Sequence, residues 1–151
     1  MIEAFHSNWT APFLRANPNK NYYIDDFEIL TTIISALKWR ENNGSIKMIT
    51  DDIAADYYKK LGIDTIWDLG IDVSLNKINN DIDSNIFWAA GKIYALKGQK
   101  SPCVMIDTDF IVWDNIENLL LQSEISVIHK EKIISSVYPN KDYFNMNNNY
   151  L

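Results

Sequence analysis

The chain has 151 residues and a formal net charge of −6, and 47% of its residues are hydrophobic. These values are typical of one globular domain with its own core. The acidic balance, without a lysine- or arginine-rich cluster, argues against nucleic acid or an anionic membrane as the main partner. No apolar run reaches the roughly 18 residues of a membrane span. A single cysteine, Cys103, cannot form a disulfide within the chain, so we expect a cytoplasmic protein.

Short apolar runs alternate with segments of helical spacing along the chain. Residues 10–24, which include two prolines, are predicted as loop. The predicted strands are Ile2–Phe5, Ile46–Thr50, Asp64–Leu69, Cys103–Ile106 and Ile125–Ile128. The predicted helices start at Asp25, at Ala54, at Asp83 or Ser84, and near Leu119; the first carries Phe27, Leu30, Ile33, Ile34 and Leu37 at helical spacing, and the third ends at Gly98.

This alternation predicts an α/β fold with a mostly parallel open sheet and helices on both faces. We assign residues 1–130 to one ligand-binding α/β domain. Residues 131–151 are asparagine-rich and show no period, which predicts an irregular tail. We interpret this tail as the start of a further part, so that the fold is incomplete at its C-terminus.

The stretch around Asp107 and Asp109 organises the sequence. The apolar run Cys103–Ile106 leads directly into Asp107-Thr108-Asp109, and an uninterrupted apolar lead is typical of a strand buried on both faces. Two carboxylates at the end of such a strand can approach one cation where the chain turns. Carboxylate oxygens favour Mg²⁺ or Mn²⁺. The alternative is that both carboxylates are solvated at a strand end.

Three polar loops follow predicted strands and would share one edge of a parallel sheet. They contain His6, Ser7 and Trp9, then Asp51, then Asp107 with Asp109. Ligands of open α/β sheets bind at this edge. This set of side chains suits a metal-chelated nucleotide diphosphate. No Gly-x-Gly-x-x-Gly or Walker loop is present, so the metal would take over the role of binding the phosphates.

Each of these side chains also has a structural interpretation. His6 could contact the nucleotide or be a satisfied structural histidine. Trp9 could stack on a base or pack locally. Asp51 could touch the nucleotide or cap the helix that follows it. Phe87, Trp88 and Tyr94 are expected in the core, and Asp25 with Glu28 has the spacing of a helix capping box.

Four segments carry a family resemblance: His6–Trp9 after the first strand, Lys47–Asp51, Phe87–Leu96 and Ser101–Phe110. Their order and spacing resemble bacterial nucleotide-sugar transferases of the GT-A fold, in particular those of capsular or surface polysaccharide synthesis. The resemblance covers about residues 1–130. It implies that Asp109 is the main ligand of Mn²⁺ or Mg²⁺, that Asp107 contacts the ribose or the metal, and that Lys92 faces the donor.

The leading interpretation is therefore a metal-dependent glycosyltransferase that uses a nucleotide-diphosphate sugar and a glycan or other hydroxyl acceptor. The sequence does not identify a catalytic base or nucleophile. Members of the resembling family usually continue for another hundred residues or more, which leaves a truncated, non-catalytic nucleotide-binding domain as one alternative. The other is a haloacid-dehalogenase-type phosphohydrolase, in which Asp107 would be the nucleophile. That motif normally ends the first strand, which does not fit here.

Overall fold

A computed structural model describes residues 2–79 and 81–128. The strands are β1 Glu3–Asn8, β2 Ile46–Thr50, β3 Ile71–Asp72 and β4 Cys103–Met105. The helices are α1 Ala11–Ala16, α2 Asp26–Asn42, α3 Asp52–Leu61, α4 Ala90–Lys97 and α5 Glu117–Leu120, with 3₁₀-helices at Asp64–Ile66 and Ser74–Lys77. Within the described ranges, every helix is too short or too polar to cross a membrane.

The four described strands form one sheet in the order β3-β2-β1-β4, and every pair is parallel. In the register, Ala4 lies opposite Ile46 on one side and opposite Val104 on the other. This confirms the predicted parallel sheet. It also confirms that the loops after β1, β2 and β4 leave the sheet at the same edge.

Apolar clusters lie on both faces of the sheet, as predicted for a sheet covered by helices on both sides. Side chains alternate between the faces along a strand, and in β1 Ala4 belongs to one cluster and Phe5 to the other. The larger cluster joins the sheet to α2 and α3 through Trp39, Tyr58 and Trp67. The smaller cluster joins it to α4.

Two predicted strands are wrong. Residues 64–66 form a 3₁₀-helix, and the pairing residues of β3 come later, at Ile71–Asp72. Leu69 N–H does donate to Ile46 C=O, so the segment runs beside β2 before it becomes a strand. Within the described residues, Ile125–Ile128 forms no strand, and Ile125, Val127 and Ile128 are exposed. An apolar run needs a pairing neighbour to become a strand.

One helix was predicted as loop, and one helix begins later than predicted. Residues 10–24 are not all loop, because α1 occupies Ala11–Ala16; Pro12 lies in its first turn, where the missing N–H costs nothing. The helix predicted from Asp83 or Ser84 begins only at Ala90. The Asp83 carboxylate instead accepts a hydrogen bond from Asn85 N–H in a local turn.

The strand that leads into Asp107 is only partly buried, whereas the sequence predicted a strand fully buried on both faces. β4 is an edge strand of the described sheet. Cys103 and Val104 are partly buried, one in each cluster, whereas Met105 is 40% exposed. The apolar run reflects contact with helices on both faces, and such a run does not distinguish an edge strand from a central one.

The predicted tail, residues 131–151, and His129 lie outside the described residues.

Candidate functional site

The order of the strands creates a crevice at the carboxyl edge of the sheet. From β1 the chain crosses to β2 and β3 on one side, and then returns to place β4 on the other side of β1. Open α/β sheets bind ligands where the strand order reverses in this way. The loops that follow β1 and β4 leave the sheet from adjacent strands at this point.

An open cleft of about 490 Å³ occupies the crevice. It is lined by Ser7, Asp25, Phe27, Glu28, Thr31, Lys92, Asp107, Thr108 and Asp109. Of the residues predicted from the sequence, the structure therefore brings Ser7, Lys92, Asp107 and Asp109 together. We call this space the acidic cleft.

Lys92 supplies a cationic side chain in the acidic cleft. Its Nζ lies 2.6 Å from Oδ1 of Asp107, and both side chains are partly exposed. An exposed ion pair of this kind contributes little to stability. It does orient the Asp107 carboxylate and leaves a positive charge beside the loop that carries Asp109.

Glu28 is a residue of this cleft that the sequence interpretation assigned to helix capping. Burial raises the pKa of Glu28 above its usual value, and the nearby carboxylates of Asp109 and Asp25 raise it further. Asp25 is the N-cap residue of α2, but its side chain makes no capping hydrogen bond, so the predicted capping box is wrong. The carboxylates of Asp25, Glu28 and Asp109 therefore repel one another across the acidic cleft.

The position of Asp25 and Glu28 could have been inferred. A helix that follows a parallel strand begins near the carboxyl edge of the sheet, where the strand ends. The first turn of α2 therefore belongs to the rim of the crevice, and polar residues there are site candidates as well as cap candidates.

A second space of about 330 Å³ adjoins the acidic cleft and shares Ser7, Glu28, Lys92 and Thr108 with it. Its walls include five aromatic residues: Trp9, Phe13, Tyr22, Tyr23 and Trp88. We call it the aromatic cleft. Trp88 was expected in the core but is 55% exposed, and the same correction applies to Phe87 and Tyr94.

Trp9 is fixed against α4 by close packing. A Cβ atom added to Gly91 would lie 2.5 Å from Cβ of Trp9, so this approach requires glycine. Trp9 thus packs locally, as one interpretation predicted, while it also lines the aromatic cleft. Its stacking on a base stays a prediction.

Asn8 holds the wall of the aromatic cleft in place. Its Nδ2 donates to the hydroxyl oxygens of Tyr22 and Tyr58, each at 2.6 Å. The Asn8 carbonyl accepts a hydrogen bond from Thr50 Oγ1 at 2.5 Å.

The neighbouring Ser7 Oγ is buried and has no hydrogen-bond partner among the described residues. A buried hydroxyl without a partner is costly, and Ser7 lines both clefts.

His6 lies beneath the acidic cleft rather than in it. Trp67 Nε1 donates to His6 Nδ1 at 3.2 Å, so the proton of the neutral ring is on Nε2. His6 Nε2 is 3.0 Å from Ser35 Oγ, which donates to the carbonyl of Phe110 at 2.5 Å. The fully buried imidazole matches the structural interpretation, and the chain of hydrogen bonds holds the peptide that follows Phe110, one residue beyond Asp109.

Burial lowers the pKa of His6 from 6.5 to about 4, although the nearby Asp107 carboxylate opposes this shift. Between these values the unfolded chain binds a proton that the folded protein does not. This contribution to the unfolding free energy is therefore fully present above pH 6.5 and is lost as the pH falls to about 4. The linkage amounts to roughly 3 kcal/mol.

We expect the His6 imidazole to remain neutral at pH 5. The chain has two histidines, so a His129→Gln variant leaves His6 as the one imidazole that an NMR titration reports. Its ring signals should move near pH 4, and urea unfolding should show a lower free energy at pH 5 than at pH 7. A midpoint near 6.5 would contradict the buried, neutral assignment.

Asp51 does not line the acidic cleft. Its Oδ2 accepts from the N–H and the Oγ1 of Thr10, at 2.8 and 2.9 Å, and its Oδ1 accepts from Ala54 N–H at 3.1 Å. The helix-capping interpretation is confirmed, because this last bond is the N-cap of α3. The contact with a nucleotide stays a prediction, and the carboxylate already has three internal donors.

Residues 2–79 and 81–128 contain no group of three or more His, Cys, Asp or Glu side chains arranged to hold a metal ion. The carboxylates of the acidic cleft are nevertheless oxygen donors of the kind that Mg²⁺ and Mn²⁺ prefer. Mg²⁺ in phosphate-binding sites is commonly held by one or two carboxylates, with water and substrate oxygens as the other ligands. Asp107 and Asp109 could supply that number.

Comparison with known proteins gives one match. No curated protein and no solved structure matches this chain. A protein family described as a family of unknown function (DUF6734) matches residues 2–151. Since the match extends over nearly the whole sequence, the chain belongs to this family, DUF6734.

Proposed function

We propose that this protein is a metal-dependent glycosyltransferase that moves a sugar from a nucleotide-diphosphate donor to a hydroxyl acceptor. One observation carries the proposal: Asp107, Asp109 and Lys92 meet at the crevice where the strand order reverses, beside a cleft with aromatic walls. The proposal includes the resemblance to GT-A nucleotide-sugar transferases. It also includes a role in surface polysaccharide synthesis.

The acidic cleft would hold Mn²⁺ or Mg²⁺ through Asp109, with Asp107 as a second ligand or as a contact to the ribose. When bound, the cation supplies positive charge opposite the diphosphate that leaves as the sugar–phosphate bond breaks. Lys92 supplies a second positive charge from α4 and can exchange Asp107 for a phosphate oxygen, because their exposed ion pair is weak. Without a cation, the cleft would repel a diphosphate through Glu28 and Asp25.

The aromatic cleft would hold the rings of the donor. Trp9, Tyr22 and Trp88 offer flat apolar surfaces on which a base or the apolar face of a sugar can stack. Ser7 lines both clefts, and its Oγ, which is buried without a partner among the described residues, would have to turn toward them to bond a ligand hydroxyl. A ligand that spans both clefts therefore needs an anionic part and a ring part, which a sugar nucleotide has.

Calorimetric titration of the protein with UDP, UDP-sugars and GDP-sugars tests the binding step. We expect binding with Mn²⁺ present and at least tenfold weaker binding after chelation with EDTA, a difference of about 1.4 kcal/mol. Equal affinity with and without the cation would contradict a metal-dependent site.

Turnover separates the proposal from its alternatives. Release of the nucleoside diphosphate, measured with a panel of sugar nucleotides and glycan acceptors, is expected for a transferase. Cation-dependent binding without release would identify a non-catalytic nucleotide-binding domain. Hydrolysis of a phosphate monoester such as p-nitrophenyl phosphate, with no binding of sugar nucleotides, would instead indicate the phosphohydrolase chemistry.

A further inference from the structure

Lys92 carries the one positive charge among the described residues that line the acidic cleft. Four acidic residues line the same space: Asp25, Glu28, Asp107 and Asp109. The Nζ atom of Lys92 lies 2.6 Å from Oδ1 of Asp107, which is the distance of a charge-assisted hydrogen bond. Lys92 therefore binds an oxygen that the proposed cation would also use.

This ion pair is accessible to solvent on both sides. The side chain of Lys92 is 35% exposed and that of Asp107 is 51% exposed. A pair with this exposure is screened by water and salt and contributes little to stability. Both side chains can therefore exchange each other for another partner at low cost.

The place of Lys92 in its helix favours an anion beside it. Lys92 lies in the first turn of α4, and this turn contains no acidic residue. The first turn is the positive end of the helix dipole, so a lysine there is more favourable when an anion is close. Asp107 supplies that anion in the structure, and a phosphate group would supply it equally well.

Asp107 cannot bind Lys92 and a divalent cation equally well at the same time. A cation held by Asp107 would lie close to the Lys92 ammonium group, and like charges at short distance repel each other. The ammonium group sits on a flexible four-carbon stem and has three donors, so it can turn to a different acceptor. Lys92 lines both the acidic and the aromatic cleft, so a ligand that spans them lies beside it.

We propose that Lys92 competes with the divalent cation for Asp107, and that the anionic ligand ends this competition by drawing Lys92 onto its phosphate groups. The cation alone then binds weakly, and the cation and the ligand bind strongly only together. By linkage, each raises the affinity of the protein for the other by the same factor. This inference rests on the proposed function, because it takes the ligand to be a nucleotide diphosphate.

Binding of Mn²⁺ without nucleotide, followed by electron paramagnetic resonance of the free ion, tests the competition. Lys92→Met keeps the apolar stem and removes the charge. It should bind Mn²⁺ at least about threefold more tightly than the wild type, because Asp107 loses a competing partner and the repulsion disappears. Lys92→Arg keeps the charge and should bind Mn²⁺ no more tightly than the wild type. Lys97→Met, in the last turn of the same helix, is the matched control and should leave the affinity unchanged.

Calorimetric titration with UDP in excess Mn²⁺ tests the transfer of Lys92 to the ligand. Lys92→Met should bind UDP at least about tenfold more weakly than the wild type, because the phosphates lose their cationic side chain. The same variant is thus expected to gain affinity for the cation and to lose affinity for the nucleotide. A change in folding would weaken both, so the opposite signs identify the exchange.

The results separate this inference from the proposed function. If the wild type binds UDP in Mn²⁺ but Lys92→Met binds Mn²⁺ no more tightly, the competition is overturned and the proposed function stands. If Lys92→Met binds UDP as tightly as the wild type, Lys92 does not move to the ligand and the exchange is overturned. If the wild type binds no UDP in Mn²⁺, the proposed function fails and the exchange fails with it.

Discussion

Replacing Asp109 by alanine is expected to weaken cation-dependent binding of a sugar nucleotide at least about tenfold, or 1.4 kcal/mol. The reason is electrostatic. In the proposed function a divalent cation in the acidic cleft would compensate the diphosphate, and its position would depend on carboxylate oxygens. Asp109 lies in the loop after β4 and faces the same cleft as Lys92 and Asp107. With Asp109 removed, Asp107 would have to hold the cation while Lys92 competes for its oxygen.

Asp109→Asn is expected to be nearly as severe, because it keeps the shape of the side chain and removes its charge. Asp56→Asn, which changes an exposed carboxylate on α3, is the matched control. The measurement is calorimetric titration of each variant with UDP in the presence of Mn²⁺. If Asp109→Ala binds as tightly as the wild type, the cation is held elsewhere or is not required.

The architecture of the sheet followed from the sequence because it depends on periodicity. Alternating apolar runs and helical segments imply parallel strands, and parallel strands imply that their polar loops meet at one edge. Ser7, Asp107 and Asp109 are therefore predicted to lie together, as they do in the acidic cleft. This prediction requires neither the strand order nor the positions of individual side chains.

Other features depended on contacts that periodicity does not record. Apolar spacing in α2 predicted a helix, but the face that packs on the sheet contains Thr32, Ser35 and Ala36. Small residues allow a helix to approach a sheet closely, and they carry a weak apolar signal. The strand predicted at Asp64–Leu69 failed for a related reason: Ile66 and Trp67 are buried by a 3₁₀-turn that packs beside β2 rather than by pairing.

The set of site residues predicted from the sequence was incomplete for a similar reason. Glu28 and Trp88 looked like a capping residue and a core residue, because each pattern is usually structural. Glu28 enters the acidic cleft because α2 begins at the ligand-binding edge, and Trp88 enters the aromatic cleft because α4 begins later than its apolar spacing suggests. The start of each helix, more than its pattern, decides which side chains reach the site.

Helix α2 connects these observations. Its first turn lines the acidic cleft, its Ser35 hydroxyl bonds the carbonyl of Phe110 next to Asp109, and its inner face packs on the sheet. A displacement of α2 would therefore move Glu28 and the loop after Asp109 together. His6, which holds Ser35 from below, contributes to the geometry of the site without reaching it.

Asp51→Ala is expected to lower the free energy of unfolding by about 3 kcal/mol, since it removes a helix cap and two further hydrogen bonds to a buried carboxylate. The Thr10 N–H, the Thr10 hydroxyl and the Ala54 N–H would all lose their acceptor. Urea unfolding followed by circular dichroism measures the change. Asp52→Ala, which removes the exposed neighbouring carboxylate from the first turn of the same helix, should cost less than about 1 kcal/mol.

The same Asp51→Ala variant decides between the two roles that the sequence allows for Asp51. Because the carboxylate lies outside the acidic cleft and has three internal donors, the folded fraction of the variant should bind UDP and Mn²⁺ with unchanged affinity. Titrations at low temperature, where most of the variant is folded, measure this. A large loss of affinity with little loss of stability would show that Asp51 contacts the nucleotide. It would also mean that the loop after β2 opens toward the cleft when the ligand binds.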